Sequence, residues 1–211
     1  MPLIPAESLA DLIARALDTP GDDYERRLTL AAKSGAVFGN LQASQVLWRR
    51  QQRAGSLAPT RGARLDPACP WESIEQADLA DALDAHPARL LWAHIPNERS
   101  GRRQAGILAS QGVKSGVPDV IIWTPPLFVA GAVGVAIELK RRGATPSSVK
   151  PTQRQWLASL QALGWIAVSA RGAGPAVALV EALYGPIIAP MHDFCSNDSG
   201  PYFRRGSKGS R

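Results

Sequence analysis

Two short apolar runs, VPDVIIW at 117–123 and VGVAIELK at 133–140, each hold an acid where a buried strand ordinarily excludes one. Side chains alternate along a strand, so in the second run Val135, Ile137 and Leu139 face one way and Ala136, Glu138 and Lys140 the other. Asp119 opens the first run, directly after Pro118; if the two runs pair through TPPLFVAGA, it lies beside Glu138. Two carboxylates and an ammonium then converge. Two carboxylates from adjacent strands, with a backbone carbonyl and waters, form an incomplete shell for a hard cation such as Mg2+, its open positions left to water and a phosphate oxygen. Such an ion polarises the phosphoryl group and lowers the pKa of water, while Lys140 orients the attacking water and offsets developing charge. The chemistry that uses all three groups is phosphodiester hydrolysis. The competing reading is an ion-pair ladder on an edge strand; the flanking apolar residues favour interior strands instead.

The elements around this pair have to bring it into one place. WESIEQADLADALDAH at 71–86 reads as a helix with Glu72, Gln76, Leu79 and Leu83 on one face and Asp78, Asp81 and Ala85 on the other. Glu72 projects toward the core side, and Glu75, on the flank of the same stripe, is an alternative acid. A first-turn Glu favoured by the helix dipole is the plainer explanation of Glu72. RLLWAHIPN at 89–97 reads as a strand; a lone His94 in it is more often structural, and it stands as a secondary candidate. The following ERSGRRQAGILASQGVKSG carries Arg99, Arg102, Arg103 and Lys114, which suit an anionic backbone or equally a solvated basic loop. Arg141 and Arg142 continue the basic surroundings beyond Lys140. KPTQRQWLASLQALG at 150–164 predicts a helix with Gln153, Trp156, Leu157 and Leu160 on one stripe and Gly164 as its stop. The strand WIAVSA follows, so strand, helix and strand imply a right-handed crossover and a parallel pair. The RGAGP turn before the last helix is weak as a phosphate-binding signal, because no GxGxxG follows a strand.

The chain has 211 residues, 45% of them hydrophobic, with a formal charge of +6 and a pI near 9.8. That length suits one main domain plus an appendage, and the charge favours a polyanionic partner, nucleic acid first. AESLADLIARAL at 6–17 reads as an amphipathic helix with Leu9, Leu12, Ile13 and Leu17 on its apolar stripe. Between Arg26 and Arg64 there are eight basic residues and no acid, with Arg49, Arg50 and Arg53 on a helical stretch. That block is either a phosphate-binding surface or a solvated helix face. Residues 55–70 are rich in Gly and Pro, which sets the expected units as a basic helical extension and linker over 1–70, a main domain over 71–186 and a disordered tail over 187–211. No apolar run is long enough to span a bilayer and the acid-containing N-terminus does not read as a secretory signal, so the expected location is cytoplasmic. Cys69 and Cys195 lack the spacing of a zinc site or a disulfide framework and read as free thiols.

GVPD at 116–119, IELK at 137–140, and Gln153 followed by Trp156-Leu157 together resemble the VRR-NUC branch of the PD-(D/E)XK nuclease superfamily, particularly its stand-alone phage and prophage type. HIPNERSGRR at 94–103 and GVKSGVPD at 112–119 add to the likeness, which covers about residues 72–184. The resemblance implies an α/β restriction-endonuclease-like core, a mixed central sheet flanked by helices, with the basic helical extension appended. It also implies Mg2+- or Mn2+-dependent cleavage of DNA, selective for branched structures as in Holliday junction resolvases, by a homodimer. On that resemblance Asp119 and Glu138 are metal ligands, with the Leu139 backbone carbonyl beside them and Glu72 acting through a water. Lys140 is then the catalytic lysine, and Gln153 helps to arrange the site. Two departures stand out: a long connection between Asp119 and Glu138, and Arg99 where a small residue is expected. The alternative function is a non-catalytic nucleic-acid-binding protein that uses the basic 26–64 block.

Overall fold

A computed structural model describes residues 6–39, 41–56, 70–96, 107 and 110–189. The element that positions the site is β5, Val135–Lys140, whose six residues are all buried although two are charged. A strand buried on both faces loses the alternation of a half-exposed one, and this sheet is covered on both sides. β5 pairs antiparallel with β4, Val120–Ile122, in the register Val120↔Ile137, and β4 pairs antiparallel with β3, Trp92–His94. On its other side β5 runs parallel to β6, Ile166–Arg171, which gives the four-stranded mixed order β3-β4-β5-β6. This is the mixed α/β architecture expected, with the hairpin and the parallel crossover where the sequence places them.

The two faces of the sheet have separate cores. Ile121, Ala136 and Ala167 pack with Leu157 of α5, Pro151–Ala162, with Leu160 and Trp165 alongside. Val120, Ile122, Val135, Ile137 and Leu139 join the larger cluster on the opposite face. There α4, Glu72–Ala85, contributes Leu79 and Leu83, and α6, Ala173–Tyr184, contributes Ala176, Val177, Leu179, Val180 and Leu183.

The N-terminal helices belong to this same cluster. α1 (Ala6–Leu17) lays Leu9, Leu12, Ile13 and Leu17 against it, while α2 (Asp23–Ser34) contributes Tyr24 and Leu28 and α3 (Ala43–Ser56) contributes Val46. Between α2 and α3 lie β1, Val37–Phe38, and β2, Leu41–Gln42. β1 also pairs with β7, Ile188–Ala189, to form a small second sheet. The segment set apart as a tail therefore begins with Ile187, 1% exposed, and a strand. The stretches 57–69 and 190–211, with Cys69 and Cys195, lie outside the described residues. No described helix is long and apolar enough to cross a membrane.

One helix face differs from the periodicity. Asp78, expected on the polar face of α4, is 2% exposed, and Glu72, expected on the core side, is exposed. The reason is that α3 packs on α4 at Asp78, which pairs with Arg50, so the stripe left toward water is Ser73, Ala77, Ala80 and Asp84 instead.

Candidate active site

The antiparallel register, continued one residue beyond Val120↔Ile137, sets Asp119 opposite Glu138. Both side chains then share the α5 face with Lys140. Asp119 is held from two directions: its backbone carbonyl accepts from the Ile95 N–H at 2.7 Å, and its Oδ2 accepts from the Leu139 N–H at 2.9 Å. Because N–H and C=O of one strand residue point the same way, the Leu139 carbonyl also faces the Asp119 side. The loop ahead of Asp119 is fixed against α5. The Trp156 indole donates to the Ser115 carbonyl at 3.1 Å, and Gly116, at φ 88°, lies so close to Thr152 that a Cβ would come within 2.8 Å of its carbonyl carbon. Only glycine combines that backbone conformation with that approach.

Glu138 is fully buried. Its Oε1 accepts from both the Lys140 ammonium and the Gln153 amide, while Oε2, also buried, has no hydrogen-bond partner among the described residues. Gln153 is itself set by its other end, where its Oε1 accepts from the Lys150 N–H at 2.8 Å at the start of α5. Burial pushes the Glu138 carboxyl up to about 7, against the hydrogen bond from Lys140 and with the Asp119 charge adding to the rise. Burial alone would lower Lys140, but the Glu138 hydrogen bond and the charges of Glu138, Asp119 and Glu72 outweigh it, so the ammonium is held above its ordinary value. Lys140 Nζ is also 4.0 Å from Asp119 Oδ2.

Asp119, Lys140 and Gln153 line an open cleft of about 640 Å3 together with Glu72, Ser73, Gln76, His94, Arg141, Ala144, Ser148 and Lys150, and the buried Glu138 lies behind them. Glu72 accepts from the Arg141 N–H at 3.2 Å. Glu75 is elsewhere: fully buried, it accepts from the Ala173 N–H at 2.7 Å and from Arg142 Nε at 3.0 Å. Burial raises the Glu75 carboxyl, opposed by the bonds from Ala173 and Arg142. The first turn of α6, reached through the RGAGP turn, is thus occupied by the protein's own carboxylate. Of the two acids left open by the sequence, Glu72 is the one in the cleft. Lys150 and Ser148 were not anticipated; the one signal for Lys150 is that it precedes the helix carrying Gln153.

The basic residues divide. Arg50 and Arg142, both expected on a nucleic-acid-binding surface, turn inward instead. Arg50 Nε lies 2.9 Å from both Asp78 oxygens and its Nη2 bonds Glu25, while Arg142 Nη2 bonds Glu25 Oε1 at 2.8 Å. Burial pushes Asp78 up to about 6, against the attraction of Arg50. Arg27 is likewise paired, with Asp23 at 2.7 Å and Glu181 at 2.8 Å. Arg27 and Arg50 of the acid-free block are thus neutralised by acids from outside it, which is why a charge count within the segment misjudges these two side chains. Arg49 and Lys114 are exposed, and Trp48 beside Arg49 is 59% exposed. Arg141 lines the cleft and donates from Nε to the Pro70 carbonyl at 2.9 Å. Arg99, Arg102 and Arg103, and the side chain of Arg53, lie outside the described residues.

Among the described residues no group of three or more His, Cys, Asp or Glu side chains clusters with metal-binding spacing. The donor set is a carboxylate pair, Asp119 and Glu138, with the Leu139 carbonyl on the same side. These are all hard oxygens, and Glu138 Oε2 has a lone-pair face with no protein donor, so the residues fit a hard divalent cation with an incomplete protein shell.

Residues 71–174 match the family model of the VRR-NUC domain, a nuclease-type domain. The match spans Glu72, Asp119, Glu138, Lys140 and Gln153. A solved structure described as a VRR_NUC domain protein is similar at 23% sequence identity and a TM-score of 0.44, covering 53% of this chain and 86% of its own. No curated protein matches the chain.

Proposed function

We propose, residues 71–174 being a VRR-NUC domain, that the chain is a metal-dependent deoxyribonuclease that hydrolyses phosphodiester bonds in this cleft. One observation carries the reading most directly. Glu138 is buried with one oxygen bound by Lys140 and Gln153 and the other unpartnered among the described residues, and it stands opposite Asp119, which lines the open cleft. Burying a carboxylate oxygen without a donor is costly, and a bound cation removes that cost. Asp119, Glu138 and the Leu139 carbonyl would hold Mg2+ or Mn2+, with Glu72 reaching it through a water; when bound, the ion supplies Lewis-acid activation of phosphate and water.

The rest falls to the chain's own groups. Lys140, kept charged by its acidic neighbours, orients a water toward phosphorus and offsets the negative charge that develops on the phosphoryl oxygens. Gln153 holds Glu138 Oε1, so that Oε2 is the oxygen presented. Arg141, Lys150 and Lys114 supply positive charge for flanking phosphates, and the outward face of α3, with Trp48 and Arg49, extends it. Selectivity for branched DNA rests on the resemblance of the motifs and is the finer part of the proposal.

The test is cleavage of labelled linear, flapped, nicked and four-way DNA with Mg2+ or Mn2+, comparing wild type with Asp119→Ala, Glu138→Ala and Lys140→Ala. We expect each variant to lose cleavage while retaining DNA binding, and the four-way or flapped substrates to be cut fastest. Full activity in Glu138→Ala would overturn the assignment. Equal rates on all substrates would remove the structure selectivity alone.

A further inference from the structure

The N-terminal helices reach the backbone next to Lys140 through Arg142. Arg142 follows Lys140 and Arg141 directly, and the two arginines are anchored on different partners. Arg141 is tied to Glu72 and Pro70 at the cleft, whereas Arg142, its side chain 12% exposed, lies between Glu75 of α4 and Glu25 of α2. Glu25 contacts the Arg142 guanidinium at 2.8 Å and also binds Arg50, which is fixed in turn by Asp78. A second contact comes from the turn ahead of α2. A Cβ on Gly21 would lie 2.5 Å from Arg142 Cγ and 2.6 Å from Cδ, so the turn packs directly on the arginine's stem. The same turn abuts α6, where a Cβ on Gly174 would lie 2.5 Å from the Pro20 carbonyl oxygen.

We infer that Glu25 is a positioning residue for the cleft: through Arg142 it fixes the backbone that carries Lys140 and Arg141. The N-terminal helices then do more than recruit substrate, because they hold one wall of the site. Glu75 and Arg50 converge with Glu25 and Arg142 on this link, and a largely buried arginine that loses a carboxylate must find another partner or move. Any such movement starts two residues from Lys140, at a distance over which small displacements carry large kinetic consequences.

The inference rests on the nuclease reading for its kinetic consequences, and its test separates the two. In the full-length chain, Glu25→Gln removes the charge that Arg142 and Arg50 share, and Gly21→Ala presses on the Arg142 stem with no change of charge. Arg27→Gln is the control: it breaks ion pairs of the same helix α2 to Asp23 and Glu181, neither of which is in the cleft. All variants are compared folded, well below their melting temperatures.

For Glu25→Gln and Gly21→Ala we expect single-turnover cleavage to fall about tenfold with little change in KM for DNA. Mn2+ binding by calorimetry should weaken, and the Lys140 and Arg141 backbone amide resonances should shift in metal-free protein. Arg27→Gln should lower the melting temperature but leave all three readouts at wild-type values. Wild-type amide positions and Mn2+ affinity in both test variants, or equal losses in Arg27→Gln, overturn the inference. If the wild type itself neither binds Mn2+ nor cuts DNA, the nuclease reading fails and the amide shifts alone decide whether Glu25 positions the cleft. Moved resonances then support it, and unmoved ones overturn it.

Discussion

Gln153 and Glu138 are joined across two elements by a single buried hydrogen bond, amide nitrogen to carboxylate oxygen. The Gln153 amide cannot swing away, because its own oxygen is held at the start of α5. Replacing it by glutamate keeps the shape and sets a like charge against Glu138, which raises the Glu138 carboxyl further. Gln153→Glu is therefore expected to slow cleavage at neutral pH by about a hundredfold, with most of the loss recovered at higher pH where Glu138 ionises. Single-turnover rates across pH check this; an unchanged rate at pH 7 contradicts the role assigned to the amide.

The same carboxyl links proton release to metal binding. Without metal, burial sets it at about 7, above its ordinary 4.5, so the folded chain keeps a proton through a window in which the unfolded chain has lost it. Its contribution to stability is full below about 4.5 and is lost as pH rises through 7; Asp78, raised to about 6, acts in the same direction. A cation binds only the ionised form, so Mg2+ uptake should release close to one proton at pH 6 and almost none at pH 8. Calorimetry in buffers of different ionisation enthalpy counts that proton, and equal counts at the two pH values would show that Glu138 is not a ligand.

Neighbouring arginines on α3 should behave oppositely. Arg50 pairs with an Asp78 that is 2% exposed, so Arg50→Ala strands a buried carboxylate and should cost about 3 kcal/mol of unfolding free energy. Arg49 is exposed, and Arg49→Ala should leave the melting temperature unchanged while reducing the salt slope of DNA binding by about one. Urea denaturation and fluorescence anisotropy at several salt concentrations separate the two. A salt slope altered by neither variant would remove α3 from the DNA-binding surface.

Gly116→Ala should combine two penalties, a positive φ and a methyl group against the Thr152 backbone. We expect a loss of about 2 kcal/mol. Weaker Mn2+ binding should accompany it, because the loop that yields is the one that delivers Asp119. A stable variant with normal Mn2+ affinity would show that the loop is not needed to place the carboxylate.

The site's strands were legible because their information is local. Two acids out of place in apolar runs, with period-two alternation, were enough to put Asp119 opposite Glu138 and Lys140 beside them. Gln153 was legible as the start of a helix whose direction the parallel crossover determines. The ion network was not, because Arg50 meets Glu25 and Asp78 at sequence separations of 25 and 28 residues and Arg142 meets Glu75 at 67. Periodicity also misplaced Asp78, since the arginine that covers it, Arg50, comes from another helix and is 28 residues away in sequence. The division at residue 70 followed composition, whereas packing carries Tyr24, Leu28 and Phe38 into the same core as Leu139.

Glu75 gives the molecule an internal substitute for a ligand. By filling the amino end of α6 with a carboxylate from α4, it closes a place where inorganic anions commonly lodge, and it does so on the buried side of the helix whose first turn faces the cleft. A phosphate mimic or sulfate entering this protein is thereby turned away from the RGAGP turn. A competitive inhibitor built on an anionic head group is therefore expected at the cleft, if the proposed cation binds there, and not at the RGAGP turn.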